Sequence, residues 1–169
     1  AWHDERIQEA LKITKPANVP LFVDGSDSVP PFENFTKYAK WGVDLYTISG
    51  GKGLGGPQCS GVLLGRKDLI EGAMANSSPW EGAPCRAMKV GKEEIVGMVK
   101  ALELYLNEDH DAVTAEWSKR LNLISNEITK IAGVTTAYFG PEIANHVPHM
   151  KINWDTQKIC GTPHDASQE

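Results

Sequence analysis

A lone lysine inside a run of five glycines constrains this chain more than any other feature: Ser49-Gly50-Gly51-Lys52-Gly53-Leu54-Gly55-Gly56-Pro57-Gln58. Glycine populates φ > 0 and lets backbone come close to a ligand. A strand-like run at residues 44–48 leads into the stretch, and a second at residues 60–65 leads out of it. The lysine therefore sits on a loop at the C-terminal end of a parallel strand, where open α/β sheets bind ligands. An amine presented there suits three roles: a phosphate contact, a surface charge or a Schiff-base nucleophile.

The chain before the loop supplies the rest of a strand–helix–strand unit. Residues 3–14 read as a helix with Ile7, Ala10 and Leu11 on one face, ended by Pro16 and Pro20. Residues 19–23 read as a short strand buried on both faces. It runs into Asp24-Gly25-Ser26-Asp27, which is turn chemistry. Pro30 and Pro31 open a helix with Phe32, Phe35 and Ala39 inward, and Gly42 closes it. The strand at 44–48 follows, completing one right-handed βαβ unit. The strand at 60–65 joins antiparallel, because no helical crossover precedes it.

After the loop, residues 67–76 read as a helix with Leu69, Ile70, Ala73 and Met74 inward. Residues 77–91 form a long loop, of the kind that is functional or disordered in a compact domain. A helix follows with Ile95, Val99, Leu102 and Leu106 on its inner face, broken at 107–109. The helix at 111–131 repeats Val113, Trp117, Leu121, Ile124, Ile128 and Ile131, with Gly133 in the position of a C′ glycine. That helix packs on strands at 134–139 and 147–154. No core periodicity marks residues 161–169.

Lys52 and Asp24 each follow a strand of the same βαβ unit, so both side chains point to one edge of the sheet. A lysine and a carboxylate are what pyridoxal phosphate takes from a protein. The amine forms an imine with the aldehyde, and the carboxylate keeps the pyridine nitrogen protonated so that the ring accepts carbanion electrons. Ser49 adds a hydroxyl for the cofactor phosphate, beside the loop N–H groups. Read as structure alone, Lys52 is a solvated turn residue and Asp24 an Asx-turn residue. Asp27 and Asp44 are rival carboxylates, although Asp44 precedes its strand. Ser49-x-x-Lys52 also has the spacing of the β-lactamase nucleophile motif, but its companion motifs are missing and that serine opens a helix. A P-loop is excluded because Gly53, not Ser or Thr, follows Lys52.

Net charge decides one class of partner. A net charge of −5 argues against nucleic acid held by the chain's own basic surface. No apolar run approaches the roughly 20 residues of a membrane span. Three cysteines, Cys59, Cys85 and Cys160, are too few and odd in number for a disulfide framework, which points to a reducing cytoplasm. His146-x-x-His149 carries strand-like flanks and Pro148 rather than one helical face, so no metal is expected.

Residues 49–58, together with Ser60-Gly61-Val62-Leu63-Leu64-Gly65-Arg66-Lys67-Asp68-Leu69-Ile70, resemble the selenocysteine-synthase-like family of fold type I pyridoxal-phosphate enzymes. Seryl-tRNA selenium transferase and the D-glucosaminate-6-phosphate ammonia-lyase group belong to it. Arg86-Ala87-Met88-Lys89-Val90-Gly91-Lys92 and His146-Val147-Pro148-His149 are also similar to it, and the resemblance covers residues 18–155. It implies an α/β chain, a partial, mostly parallel fold type I sheet with helices, and the start of a small α+β C-terminal domain. It divides the chain into residues 1–107, the second half of the large cofactor domain, and residues 108–169. It implies that the chain is an internal piece of a longer protein, with the phosphate loop and ring-stacking residue preceding it. Lys52 becomes the Schiff-base lysine, Asp24 the pyridine-nitrogen partner, Ser49 a phosphate-side contact and Arg86 a substrate anion site.

The function expected is that of a cytoplasmic, homo-oligomeric pyridoxal-phosphate lyase or transferase. It acts at Cα and Cβ of a small amino-group-bearing substrate, with ammonia-lyase-like elimination favoured. The alternatives are seryl-tRNA selenium transfer and an inactive, truncated chain. A half-sheet also predicts exposed apolar surface near residues 19–23 or 44–48.

Overall fold

The computed structural model describes residues 4–140, 146–159 and 161–166. These fall into two compact units. One runs to residue 108 and takes in His146; the other comprises residues 109–140 and those from 147 onward.

The first unit opens with α1 (Asp4–Thr14), whose Ile7 and Leu11, one helical turn apart, are both buried. Next come β1 (Phe22–Asp24), α2 (Asn34–Trp41) and β2 (Leu45–Ser49). β1 and β2 pair in parallel, with Asp24 opposite Thr47. β3 (Gly61–Gly65) adds antiparallel to β2, with Ser49 opposite Gly61. The sheet of the described residues is therefore mixed, in the order β1-β2-β3, rather than mostly parallel. The strand period of two puts Val23, Tyr46 and Ile48 on the buried face and Phe22, Asp24, Thr47 and Ser49 on the other. The buried face packs on Ile7 and Leu11 of α1, and on Phe35 and Tyr38 of α2. The Tyr46 hydroxyl donates to the Phe35 carbonyl, which satisfies the polar end of a side chain only 2% exposed. Gly42, at φ 90°, ends α2 in the left-handed conformation that glycine adopts without strain.

Two helices complete the unit, α3 (Lys67–Ala75) and α4 (Lys92–Asn107), separated by a long loop. α4 packs through Met98, Ala101 and Tyr105. Phe32 and Phe35 each lie 5.9 Å, ring centre to ring centre, from Tyr105.

Several expectations need correcting. β1 spans three residues, and only Val23 of it is buried; Phe22 is 58% exposed, so the strand is not covered on both faces. α2 begins at Asn34, not at Pro30, because residues 31–33 form a turn in which Pro31 accepts from the Asn34 N–H. Tyr38, not Ala39, fills its inner face, being the larger apolar group available one position away. Met74 of α3 faces outward. In α4 the row Ile95, Val99, Leu106 is exposed and the adjacent row is packed. Apolar residues fill both rows, so only the shape of the surface beneath could choose between them.

In the second unit α5 (His110–Ile128) lies on β4 (Val134–Phe139), which pairs antiparallel with β5 (His149–Trp154). The short α6 (Pro163–Ala166) follows. Asp109 caps α5, accepting the Ala112 N–H at 2.9 Å. The Ser125 and Thr136 hydroxyls meet at 2.7 Å, and Tyr138 donates to Asn122 at 2.8 Å. Ile124 and Ile131 of the expected inner row are largely exposed. α5 ends at Ile128, capped by Thr129, so Gly133 ends the turn into β4 rather than closing the helix. Among the described residues no helix is long and apolar enough to cross a membrane.

Candidate active site

Parallel pairing fixes the site. Asp24 is the last residue of β1 and Ser49 the last of β2, and the adjacent strands run the same way. The turn after β1 and the lysine loop after β2 therefore leave the sheet at one edge. Main-chain hydrogen bonds join them there. Gly25 donates to the Thr47 carbonyl at 3.0 Å, and Ser49 donates to the Ser26 carbonyl at 3.3 Å.

The lysine loop is folded upon itself and pressed between two walls. Gly55 donates to the Lys52 carbonyl at 2.9 Å, and Gly56 to the Gly50 carbonyl at 2.7 Å. Leu54 is 4% exposed and anchors the loop in the core. On one side a Cβ at Gly50 would strike the Ser60 hydroxyl and the Met98 sulfur of α4. On the other, a Cβ at Gly53 would strike the Val29 carbonyl oxygen. Glycine is needed at 53 for that close approach of main chain to main chain, not for an unusual φ.

The four expected site residues divide into three together and one apart. Lys52 is exposed at the tip of the loop. Asp24 is exposed, and its Oδ1 accepts the Ser26 N–H at 3.0 Å in an Asx turn, which leaves Oδ2 for a partner. Ser49 is half-buried at the strand end between them. Arg86 lies on the long loop between α3 and α4; its N–H donates to the Ala83 carbonyl, its side chain is exposed, and nothing described ties it to the lysine edge. Asp27 stands half-buried in the same turn as Asp24.

Asp44 is at the opposite end of β2 and does different work. The Leu21 N–H donates to its Oδ2 at 2.9 Å and Arg66 reaches its Oδ1 at 3.0 Å. The Leu21 hydrogen bond, with Arg66 adding to it, holds this carboxyl below its ordinary value of 3.8. It is thus a clamp joining the entry of β1 to the exit of β3.

Beneath the Asp24 turn lie two groups that the sequence did not bring forward. Asn34, 6% exposed, donates from Nδ2 to the Ser28 carbonyl at 2.6 Å. Its Oδ1 and the Ser28 hydroxyl are buried without a hydrogen-bond partner. An asparagine at a helix start reads as a cap in sequence, and nothing local shows that it reaches back six residues.

A cavity of about 640 Å³ lies elsewhere in the unit, between β3, the long loop and α4. Val62, Met88, Ile95 and Val99 line it, with Lys89 and Lys92, and none of the four expected site residues does. Cys59 and Cys85 are free and exposed; Cys160 lies outside the described residues. The His149 ring lies tilted against Phe139, 5.4 Å between ring centres, and its Nδ1 lies 2.8 Å from the Val147 carbonyl.

Comparison with known proteins puts this geometry in context. Residues 21–153 match the family described as SelA, L-seryl-tRNA selenium transferase. The chain is 30% identical over 128 residues to D-glucosaminate-6-phosphate ammonia lyase of Salmonella typhimurium, covering 76% of this chain and 31% of that protein. It is 30% identical over 129 residues to 5'-C-glycyluridine monooxygenase-decarboxylase of a Streptomyces species, covering 76% of this chain and 30% of that protein. A solved structure of D-glucosaminate-6-phosphate ammonia-lyase superposes with a TM-score of 0.67 at 26% identity, over 90% of this chain and 38% of that one. The chain thus spans less than a third of the length of these two relatives. The match takes in β1, the Asp24 turn, the lysine loop and part of each unit, and this chain belongs to the L-seryl-tRNA selenium transferase family.

Proposed function

We propose that this chain carries the lysine and the carboxylate of a fold type I pyridoxal-phosphate lyase or transferase, acting at Cα and Cβ of a small amino-group-bearing substrate. The observation that supports it most is the shared edge. Two neighbouring parallel strands deliver Asp24 and the Lys52 loop to one place, joined by main-chain hydrogen bonds. The residues present fit the cofactor. An exposed amine, a carboxylate with one oxygen uncommitted, and a glycine loop pressed against the neighbouring turn are the donor set it requires.

When bound, pyridoxal phosphate supplies an aldehyde and an electron-withdrawing ring. Lys52 holds it through the amine and then moves the proton at substrate Cα as general acid and base. Asp24 holds the proton on the pyridine nitrogen. Ser49 donates to the phosphate, and Arg86, which nothing described ties to this edge, takes no part in the reading. Elimination is favoured over transfer to tRNA, because a net charge of −5 argues against a basic track for a polynucleotide in this chain. The same reading makes the whole protein a cytoplasmic homo-oligomer.

The test is covalent trapping. Full-length protein with pyridoxal phosphate should absorb in the visible, and borohydride should bleach it and attach the cofactor to the Lys52 peptide, located by mass. A colourless protein whose Lys52 peptide stays unlabelled would sink the proposal. Gel-shift with seryl-tRNA separates the transferase alternative from the lyase.

A further inference from the structure

The lysine loop has a wall on the Asp24 side, and something must hold that wall still. The wall is the Val29 carbonyl, because Gly53 approaches it too closely for any side chain to intervene. Val29 is 1% exposed, so the turn that carries it cannot relax outward without exposing apolar surface. From inside, the turn is held by a side chain: Asn34 Nδ2 donates to the carbonyl of Ser28, the residue before Val29. The Ser28 N–H closes the same turn on Gly25, whose own N–H holds the Thr47 carbonyl of β2.

Two polar atoms beside this hydrogen bond stay outside it. Asn34 Oδ1 and Ser28 Oγ are buried and unpartnered. A cluster optimised for stability alone would satisfy them or replace them with apolar groups. The side-chain hydrogen bond that Asn34 makes fixes the carbonyl neighbouring the contact with Gly53.

We propose that Asn34 is a positioning residue for Lys52. It sets the height of the Val29 carbonyl, the carbonyl seats Gly53, and Gly53 sets where Lys52 stands relative to Asp24. The assignment rests on the reading of Lys52 and Asp24 given above, but the mechanical link from Asn34 to the loop does not need the cofactor.

Amide hydrogen exchange of the full-length protein without cofactor tests that link. Gly55 and Gly56 are the reporters, since their N–H groups are hydrogen-bonded within the loop. In Asn34→Leu, of similar volume but with no donor, both should exchange about tenfold faster, while amides of β4 and β5 keep their wild-type rates. Cofactor trapping by borohydride at Lys52 should slow in the same variant. Gly53→Ala pushes on the contact from the other side and should speed exchange in residues 25–31, which keeps the test available if Asn34→Leu does not fold. Unchanged Gly55 and Gly56 exchange in Asn34→Leu, with faster exchange confined to residues 25–34, would overturn the proposal. So would a Gly53→Ala protein whose residues 25–31 exchange as in wild type. Failure of wild-type Lys52 to trap the cofactor would sink the functional reading and leave the exchange result standing.

Discussion

Lys52 and Asp24 are both exposed, so substitution there should separate chemistry from stability. Lys52→Ala in the full-length protein should abolish trapping and turnover, while the unfolding free energy moves by no more than about 0.5 kcal/mol, as at other surface sites. Asp24→Asn should still trap the cofactor, because the amine remains, but turnover should fall by orders of magnitude; each ~1.4 kcal/mol lost from the transition state is tenfold. If Asp27→Asn abolishes turnover and Asp24→Asn does not, Asp27 is the carboxylate that matters. Asp44 should behave in the opposite way, affecting stability and not chemistry. Its folded pKa is depressed, so its contribution is fully present above the ordinary 3.8 and is lost as pH falls through the folded value. Urea midpoints followed from neutral pH into acid should therefore drop, and Asp44→Asn should lower the neutral midpoint and flatten that acid limb. The shared edge was legible in sequence: strand ends and turn chemistry put Asp24, Ser49 and the loop of Lys52 at the ends of neighbouring parallel strands. What Asn34 does was not legible, because its partner is fixed by a turn whose path depends on the folded loop beside it.

At the scale of elements, existence and order could be read and facing could not. The strands before and after the lysine loop stand where hydrophobic period and turn residues put them; the helix between β1 and β2 is present but begins at Asn34, and β4 and β5 are present, with an antiparallel pairing that the pattern does not specify. The inner face of α4 is not specified by its own pattern, because Ile95, Val96 and Val99 are as apolar as the row that packs, of which Met98 lies against Gly50 and Gly56. The lysine loop is itself an element with a core residue, which makes a further prediction. Leu54→Ala removes its buried anchor and should cost about 2–5 kcal/mol, the usual range for a buried leucine. The loop should also become the first site of proteolytic cleavage in the folded protein, near residues 50–56. A cost below about 1 kcal/mol, with no new cleavage there, would mean that the loop is held by its main chain alone.

For the molecule as a whole, the apolar surface expected beside the sheet is partly where it was sought. Val19 and Phe22 are more than half exposed; of residues 44–48 none is an exposed large hydrophobic, and α4 contributes Ile95, Val96 and Val99 instead. Apolar patches beyond a few hundred Å² are unusual on a free surface. Residues 1–169 by themselves should therefore associate as concentration rises in sedimentation velocity, and Val99→Lys with Phe22→Lys should suppress it. A single sedimenting species, insensitive to both changes, would count against that. The contact between Gly53 and the Val29 carbonyl has a consequence of another kind. It is made by main chain on both sides, so the frame that holds the reactive groups owes nothing to their identity. The side chains of Lys52 and Asp24 can be exchanged without disturbing it, whereas a methyl group at position 53 would force the two loops apart. A scaffold of that sort is free to change its reaction during evolution while keeping its geometry, and variation among descendants should concentrate in the side chains that project from the two loops and spare the glycine between them.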